Sequence, residues 1–401
     1  MARPFRLSFA ARLAVAAIVL SLLLPGSLVG AAPRAARLSD GVAVAPVSAP
    51  LPAADVAHRL SAEVYGYLPY WEIDDGTDTY LRYNLLTDIA LFSVTFTPTG
   101  AIATSVRGYS TVTGALAHTI VDHAHDAGVR VDLTVTSFGF EKNAAFFADP
   151  AAMSNAAVAI ATLVAGMNVD GVSLDVELLE NEYVTGYGRF VGKLRNALRA
   201  ANPDARLSVA TNGGLSGAGM ANEALRNGAD RVFIMGYAYR TAGTSAAGSV
   251  APIVRADGGK GLAWTLDLYA ANGVPADRSL LGLPYYGRSW NTTSDALHAP
   301  TISSAGVFIP GSELGAIPAG VSIQHDAAEM SKWFAVQDPT TQAWTQTYFD
   351  DPETLGEKYD LASTRGLAGV GIWSLGYDRG LTGYWNAIAA FGSTRLADAN
   401  R

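Results

Sequence analysis

Eight short apolar runs punctuate the chain, at 64–67, 89–96, 129–137, 171–177, 207–211, 232–237, 280–285 and 369–373. Each has the length of a buried strand. Stretches of helical spacing lie between them. The run from Ala115 to Ala127 stops at Gly128, a residue suited to a helix C-terminus. Phe190, Val191, Leu194 and Leu198 form an i, i+4 stripe ahead of Pro203. Asp149-Pro150 and Asp351-Pro352 each set a capping side chain before a proline at the first helical position. Strands alternating with helices call for parallel pairing, and eight of them suit an α/β fold of the closed (β/α)8 TIM barrel type. An open doubly wound sheet would favour a glycine fingerprint after the first strand, and none follows Tyr67. One connection is out of scale, the stretch of roughly 75 residues from Trp290 to Gly366. Its last part, from Asp351, supplies the final helix. The remainder, about 291–350, is expected to form a small lobe inserted between the seventh and eighth strands, over the C-terminal face of the barrel.

The N-terminus departs from this pattern. Arg3, Arg6 and Arg12 flank an apolar run, Leu13 to Leu24, that is shorter than the roughly twenty residues of a membrane span. Small residues around Gly30-Ala31-Ala32 follow. Residues 1–31 are expected to be a cleaved secretory signal and 32–60 a flexible leader. The barrel then occupies 61–395, and the protein is expected to be secreted, extracellular and in reach of a cell wall, off the membrane once the signal is gone. The formal charge is −8, three units more negative without the signal's arginines. With no basic cluster beyond the signal, nucleic acid and anionic membranes are poor partners. The chain has no cysteine, so disulfides and thiol chemistry are excluded. A monomer is expected.

The segment with the most chemistry is Asp170-Gly171-Val172-Ser173-Leu174-Asp175-Val176-Glu177 on the fourth strand. Strands alternate their faces, so Val172, Leu174 and Val176 point to the covering helices while Ser173, Asp175 and Glu177 point into the barrel. Barrel interiors usually hold branched apolar residues, and charges there cost several kcal/mol unless they have partners or a role. Two carboxyls two residues apart on one face are roughly 6 to 7 Å apart. Their mutual repulsion keeps a proton on one of them to higher pH. Such a pair sits on one side of a bound sugar, unlike the flanking carboxylates of ordinary glycosidases, and suits a substrate that supplies its own nucleophile.

The octet resembles the signature of glycoside hydrolase family 18, aspartate-x-x-aspartate-x-aspartate-x-glutamate. Tyr65 to Trp71, Ser137-Phe138-Gly139, Met235-Gly236-Tyr237, Leu281 to Arg288 and Gly369 to Leu375 are similar to that family's segments at the first, third, sixth, seventh and eighth strands. The resemblance spans about 64–391. It implies cleavage of β-1,4-linked N-acetylhexosamine polymers, of the chitin or peptidoglycan type, by a retaining, substrate-assisted route without a cofactor or metal. It implies Glu177 as general acid, Asp175 as the group orienting the 2-acetamido substituent, and Tyr237 as a donor to the same substituent. Trp373 would be the apolar floor, Tyr67 a wall, and Ser173, Met235 and Tyr286 further substrate contacts. Trp71 and Trp290 would be outer platforms or packing residues.

Two positions depart from the family pattern. Ser173 replaces its middle aspartate, and Ala238 replaces the aspartate after the sixth-strand tyrosine. Both remove negative charge near Glu177, which should lower its pKa relative to a full set and give a more acidic pH optimum. The missing middle aspartate, Thr136 to Phe140 and Gly366 to Trp373 are similar to bacterial spore-cortex and cell-wall hydrolases of the family. The alternative is a non-catalytic, lectin-like carbohydrate binder. His118, His123 and His125 lack a zinc-type acidic pattern. Asp132 is left open as to direction, and Asn291-Thr292-Thr293 forms a glycosylation sequon.

Overall fold

The computed structural model describes residues 62–399. The expected signal and leader lie outside these residues. Eight parallel strands close into a barrel: β1 Glu63–Pro69, β2 Asp88–Thr95, β3 Arg130–Phe138, β4 Gly171–Glu177, β5 Arg206–Asn212, β6 Arg231–Met235, β7 Ser279–Pro284 and β13 Gly369–Trp373. The ring closes where β13 inserts between β7 and β1, with Val64 opposite Val370 and Leu283 opposite Ile372. The eight apolar runs are these eight strands. The sixth run was expected to reach Tyr237, but pairing ends at Met235. The Gly236 amide still donates to the Gly282 carbonyl at 2.9 Å, an approach that leaves no room for a side chain, and a loop then presents Tyr237.

Helices wrap the barrel: α1 Ala115–Asp126, α2 Phe140–Ala148, α3 Pro150–Gly166, α4 Val184–Ala201, α5 Leu215–Arg226, α6 Leu262–Ala271, α7 Pro352–Thr364 and α8 Thr382–Ala399. Asp149 caps α3 by accepting from the Ala151 and Ala152 amides at 2.8 and 3.2 Å. Asp351 and Thr354 form a reciprocal capping box on α7. The stripe Phe190, Val191, Leu194 and Leu198 is buried along α4. Among the described residues no single helix is long and apolar enough to cross a membrane.

The barrel interior is closed below the site by aromatic rings. Phe233 lies 4.8 Å from Tyr67 and 6.0 Å from Tyr65, centroid to centroid. A Cβ at Gly371 or Gly282 would come within 2.0 or 2.2 Å of the Phe233 ring, so the glycines make the room this ring fills. Asp132 points inward, and its carboxylate accepts from the Tyr65 hydroxyl at 2.8 Å. At the opposite, N-terminal end, Arg206 bridges Glu63 and Asp88 at 2.9 Å each.

Between β7 and β13 runs a second, antiparallel sheet of β8 Gly287–Thr292, β9 Thr301–Phe308, β10 Gln324–Asp326, β11 Ser331–Gln337 and β12 Trp344–Phe349, in the order β10-β11-β12-β8-β9. Its small core is Phe308, Phe334 and Phe349.

Candidate active site

A cavity of about 450 Å3 opens at the C-terminal ends of the barrel strands. Asp175 and Glu177 lie in it together, with Trp373 from the end of β13, Met235 from the end of β6 and Tyr237 just beyond. Position along β4 explains the pair: Asp175 is the deeper, 5% exposed, and Glu177 ends the strand nearer the mouth. The strand end is held from the side. Asn143 of α2, itself buried, donates to the Glu177 carbonyl at 2.6 Å and accepts from Ser137 Oγ at 2.7 Å. The serine of the third-strand motif therefore serves the backbone that carries Glu177. Asp170, first of the octet, accepts from the Val131 amide and bonds His125 at 2.9 Å, tying β4 to β3 and α1 away from the cavity.

The electrostatics favour protonated acids. Burial first, then the neighbouring Glu177 charge, holds the Asp175 carboxyl well above the usual carboxylate range. Burial pushes Glu177 up to about 7. The serine at 173 and the alanine at 238 bring no charge beside Glu177, so burial is the cause of its rise. Asp175 Oδ1 is buried and has no hydrogen-bond partner among the described residues. A buried acceptor left open costs about 1 to 3 kcal/mol, which a ligand N–H placed there would recover. Burial also raises the Tyr237 hydroxyl well above its ordinary value, so it stays a donor.

Other residues expected at the site lie around the cavity without lining it. Tyr67 is 2% exposed and shares a 2.6 Å hydrogen bond with Ser173. Neither lines the cavity, and the Tyr67 ring packs against Phe92, Phe233 and Trp373. Tyr286 is buried edge-on to Tyr237 and backs that ring without reaching the cavity. Trp71 packs edge-on against Phe92 and Trp373 and donates to the Tyr377 hydroxyl at 3.3 Å, which makes it a support of the floor. Trp290 is fully buried, with its indole N–H on the Thr241 carbonyl, so it is packing and no platform. His123 bonds Asp78 and His125 bonds Asp170, both outside the cavity.

The cavity also has a wall that the sequence pattern did not single out. Asn212 ends β5, and Tyr239, Arg255 and Lys260 come from the long β6–α6 connection. Phe92, within β2, faces Trp373 edge-on at 4.9 Å. The rule that barrel chemistry gathers at strand C-termini points to Asn212. The length of the connection after Tyr237 was the available signal for Arg255 and Lys260. The inserted lobe, expected over this face, contributes no residue to the cavity wall.

Comparison with known proteins agrees with the geometry. The model of glycosyl hydrolases family 18 matches residues 63–378. Mouse chitotriosidase-1 is 26% identical over 199 residues, 47% of this chain and 40% of that protein. Chitinase A1 of Niallia circulans is 28% identical over 27% of this chain and 17% of its own length. This chain thus aligns with less than half the length of either relative. Among solved structures, a Cycas revoluta family 18 chitinase in complex with (GlcNAc)3 superposes with a TM-score of 0.70 at 18% identity, over 84% of this chain and 100% of that one. A chitinase-like agglutinin from Robinia pseudoacacia superposes equally well, at 0.70 and 19%, over 82% and 99%. A family match along most of the chain, a closed barrel, and two carboxyls at the end of its fourth strand make this protein a member of glycosyl hydrolases family 18.

Proposed function

We propose that the protein is a secreted glycosidase that cleaves β-1,4-linked N-acetylhexosamine polymers, of the chitin or peptidoglycan type, with retention and with the substrate's acetamido group as nucleophile. The observation that carries this reading is the pairing of a proton-bearing Glu177 with an open buried acceptor on Asp175 in one cavity. Glu177 donates its proton to the glycosidic oxygen as the C–O bond breaks. The acetamido carbonyl oxygen attacks the anomeric carbon and forms a cyclic oxazolinium. Asp175 accepts the acetamido N–H on its open oxygen and so orients the attacking carbonyl. Tyr237 donates to the same group, and Trp373 stacks under the sugar ring. Water, deprotonated by Glu177, then opens the ring from the same face as the departed oxygen. The first sixty residues fit export, and the GlcNAc oligomer bound by the cycad enzyme supports the substrate class.

A second reading is a carbohydrate binder. Position 173 is a serine, hydrogen-bonded to Tyr67, so it offers Asp175 no second carboxyl to share its proton during turnover. Product release from N-acetylglucosamine oligomers and from peptidoglycan, wild type beside Glu177→Gln, separates the two. Cleavage by wild type alone supports the glycosidase, with the preferred polymer naming the substrate. Binding by both proteins without cleavage supports the lectin.

A further inference from the structure

The β6–α6 connection, residues 236–261, is long and rich in glycine and small residues, yet it supplies one wall of the cavity. It has little regular structure of its own. Its order comes from the inserted lobe. Trp290 donates to the Thr241 carbonyl at 3.1 Å. The Ala247 amide donates to Ala299, and Thr301 donates to Ser245, each at 3.0 Å. His298, stacked on Tyr348, contacts the Ala247 carbonyl.

The central contact is Glu329, which sits in the turn between β10 and β11 and is 0% exposed. Its carboxylate takes both terminal nitrogens of Arg240, the second at 2.7 Å, and the amides of Ser249 and Ala256 at 2.9 and 3.0 Å. Arg240 is 2% exposed. All four donors belong to the connection. Next to Ala256, Arg255 is held to Asp257 and to the Tyr239 carbonyl, and both Arg255 and Tyr239 line the cavity. Lys260 follows, with its ammonium 4.7 Å over the exposed ring of Trp264. Fully bonded buried carboxylates fix geometry strongly, since losing one partner leaves an uncompensated charge.

We propose that Glu329 is a positioning residue for saccharide binding: from the lobe, it sets the Tyr239–Lys260 wall on which sugar units beyond the reacting one rest. The wall's chemistry is two cationic side chains and a phenol, which suits the hydroxyl and acetamido oxygens of a saccharide. The lobe thus shapes the cleft from behind, without touching the sugar. This inference rests on the carbohydrate reading above.

The test compares wild type with Glu329→Gln and with the double variant Arg240→Met, Glu329→Met, using the N-acetylglucosamine tetramer and a chromogenic disaccharide glycoside. The double variant removes both charges, a change that buried pairs often tolerate. The expected result in both variants is a KM for the tetramer raised about tenfold, with kcat within threefold and the basic limb of the pH profile unmoved. KM for the short glycoside should change much less. A fall in kcat that tracks the loss of folded protein, with KM unchanged for both substrates, would overturn the proposal. If wild type cleaves neither substrate, the glycosidase reading fails by itself. The same comparison then moves to tetramer dissociation constants, where equal affinity in all three proteins would overturn the role of Glu329.

Discussion

Replacing Glu177 by glutamine should make the protein more stable, by an amount that grows as pH rises from about 4.5 to 7 and is constant above. The glutamate carboxyl ionises near 4.5 when solvated and at about 7 in the fold, because the cavity walls strip its water. Its proton is therefore held more tightly folded than unfolded. Below the unfolded value both states are protonated, and the variant differs from wild type only by an amide in place of an acid. Between 4.5 and 7 the unfolded chain ionises while the folded wild type holds its proton, so the wild type loses stability; above 7 it carries a buried charge that glutamine never has. At ~1.4 kcal/mol per pKa unit, the penalty approaches about 3 kcal/mol by pH 8.5. An unfolding entropy of ~2 cal/mol/K per residue converts this into about 4 °C for a barrel of this size. Loss of the Glu177 charge also eases ionisation of Asp175, which acts in the same direction. Calorimetric melts of both proteins at pH 4.5 and pH 8.5 check it. The expected gap is within a degree at the lower pH and about 4 °C in favour of the variant at the higher. An equal gap at both values would refute the assignment of the raised pKa to Glu177.

The basic limb of kcat/KM should fall near pH 7, where Glu177 loses its proton; a limb near 5 would mean that the missing charges at 173 and 238 outweigh burial. Gly371→Ala forces a methyl into the Phe233 ring and should cost about 1 to 3 kcal/mol in a denaturant titration, with Phe233→Leu in the same chain recovering part of it. Tyr67→Phe removes the bond to Ser173; about 1 kcal/mol of stability should go, while KM for the tetramer stays within twofold. Asp149→Ala takes the cap from α3 and should lower stability by about 1 kcal/mol, with kcat and KM unchanged.

What the sequence determined by itself follows from local rules. Two-residue alternation placed Asp175 and Glu177 on the inner face of β4, and helix spacing with its caps marked α3, α4 and α7 at their observed positions. Strand count and alternation then led to the closed barrel, because parallel neighbours need a crossover between them. Tertiary structure decided everything that depends on who packs on whom. Tyr67, Tyr286, Trp71 and Trp290 are aromatic and near motifs, and no local signal separates a cavity wall from a ring packed behind it; their packing partners come from distant strands and loops. The pKa of Glu177 turns on how much water its walls exclude, a property of strands far apart in the chain. The contacts that join the lobe to the wall include one between Glu329 and Arg240, eighty-nine residues apart. Spacing along the chain carries no information about such a contact, which exists only once the barrel has closed and brought the two segments together.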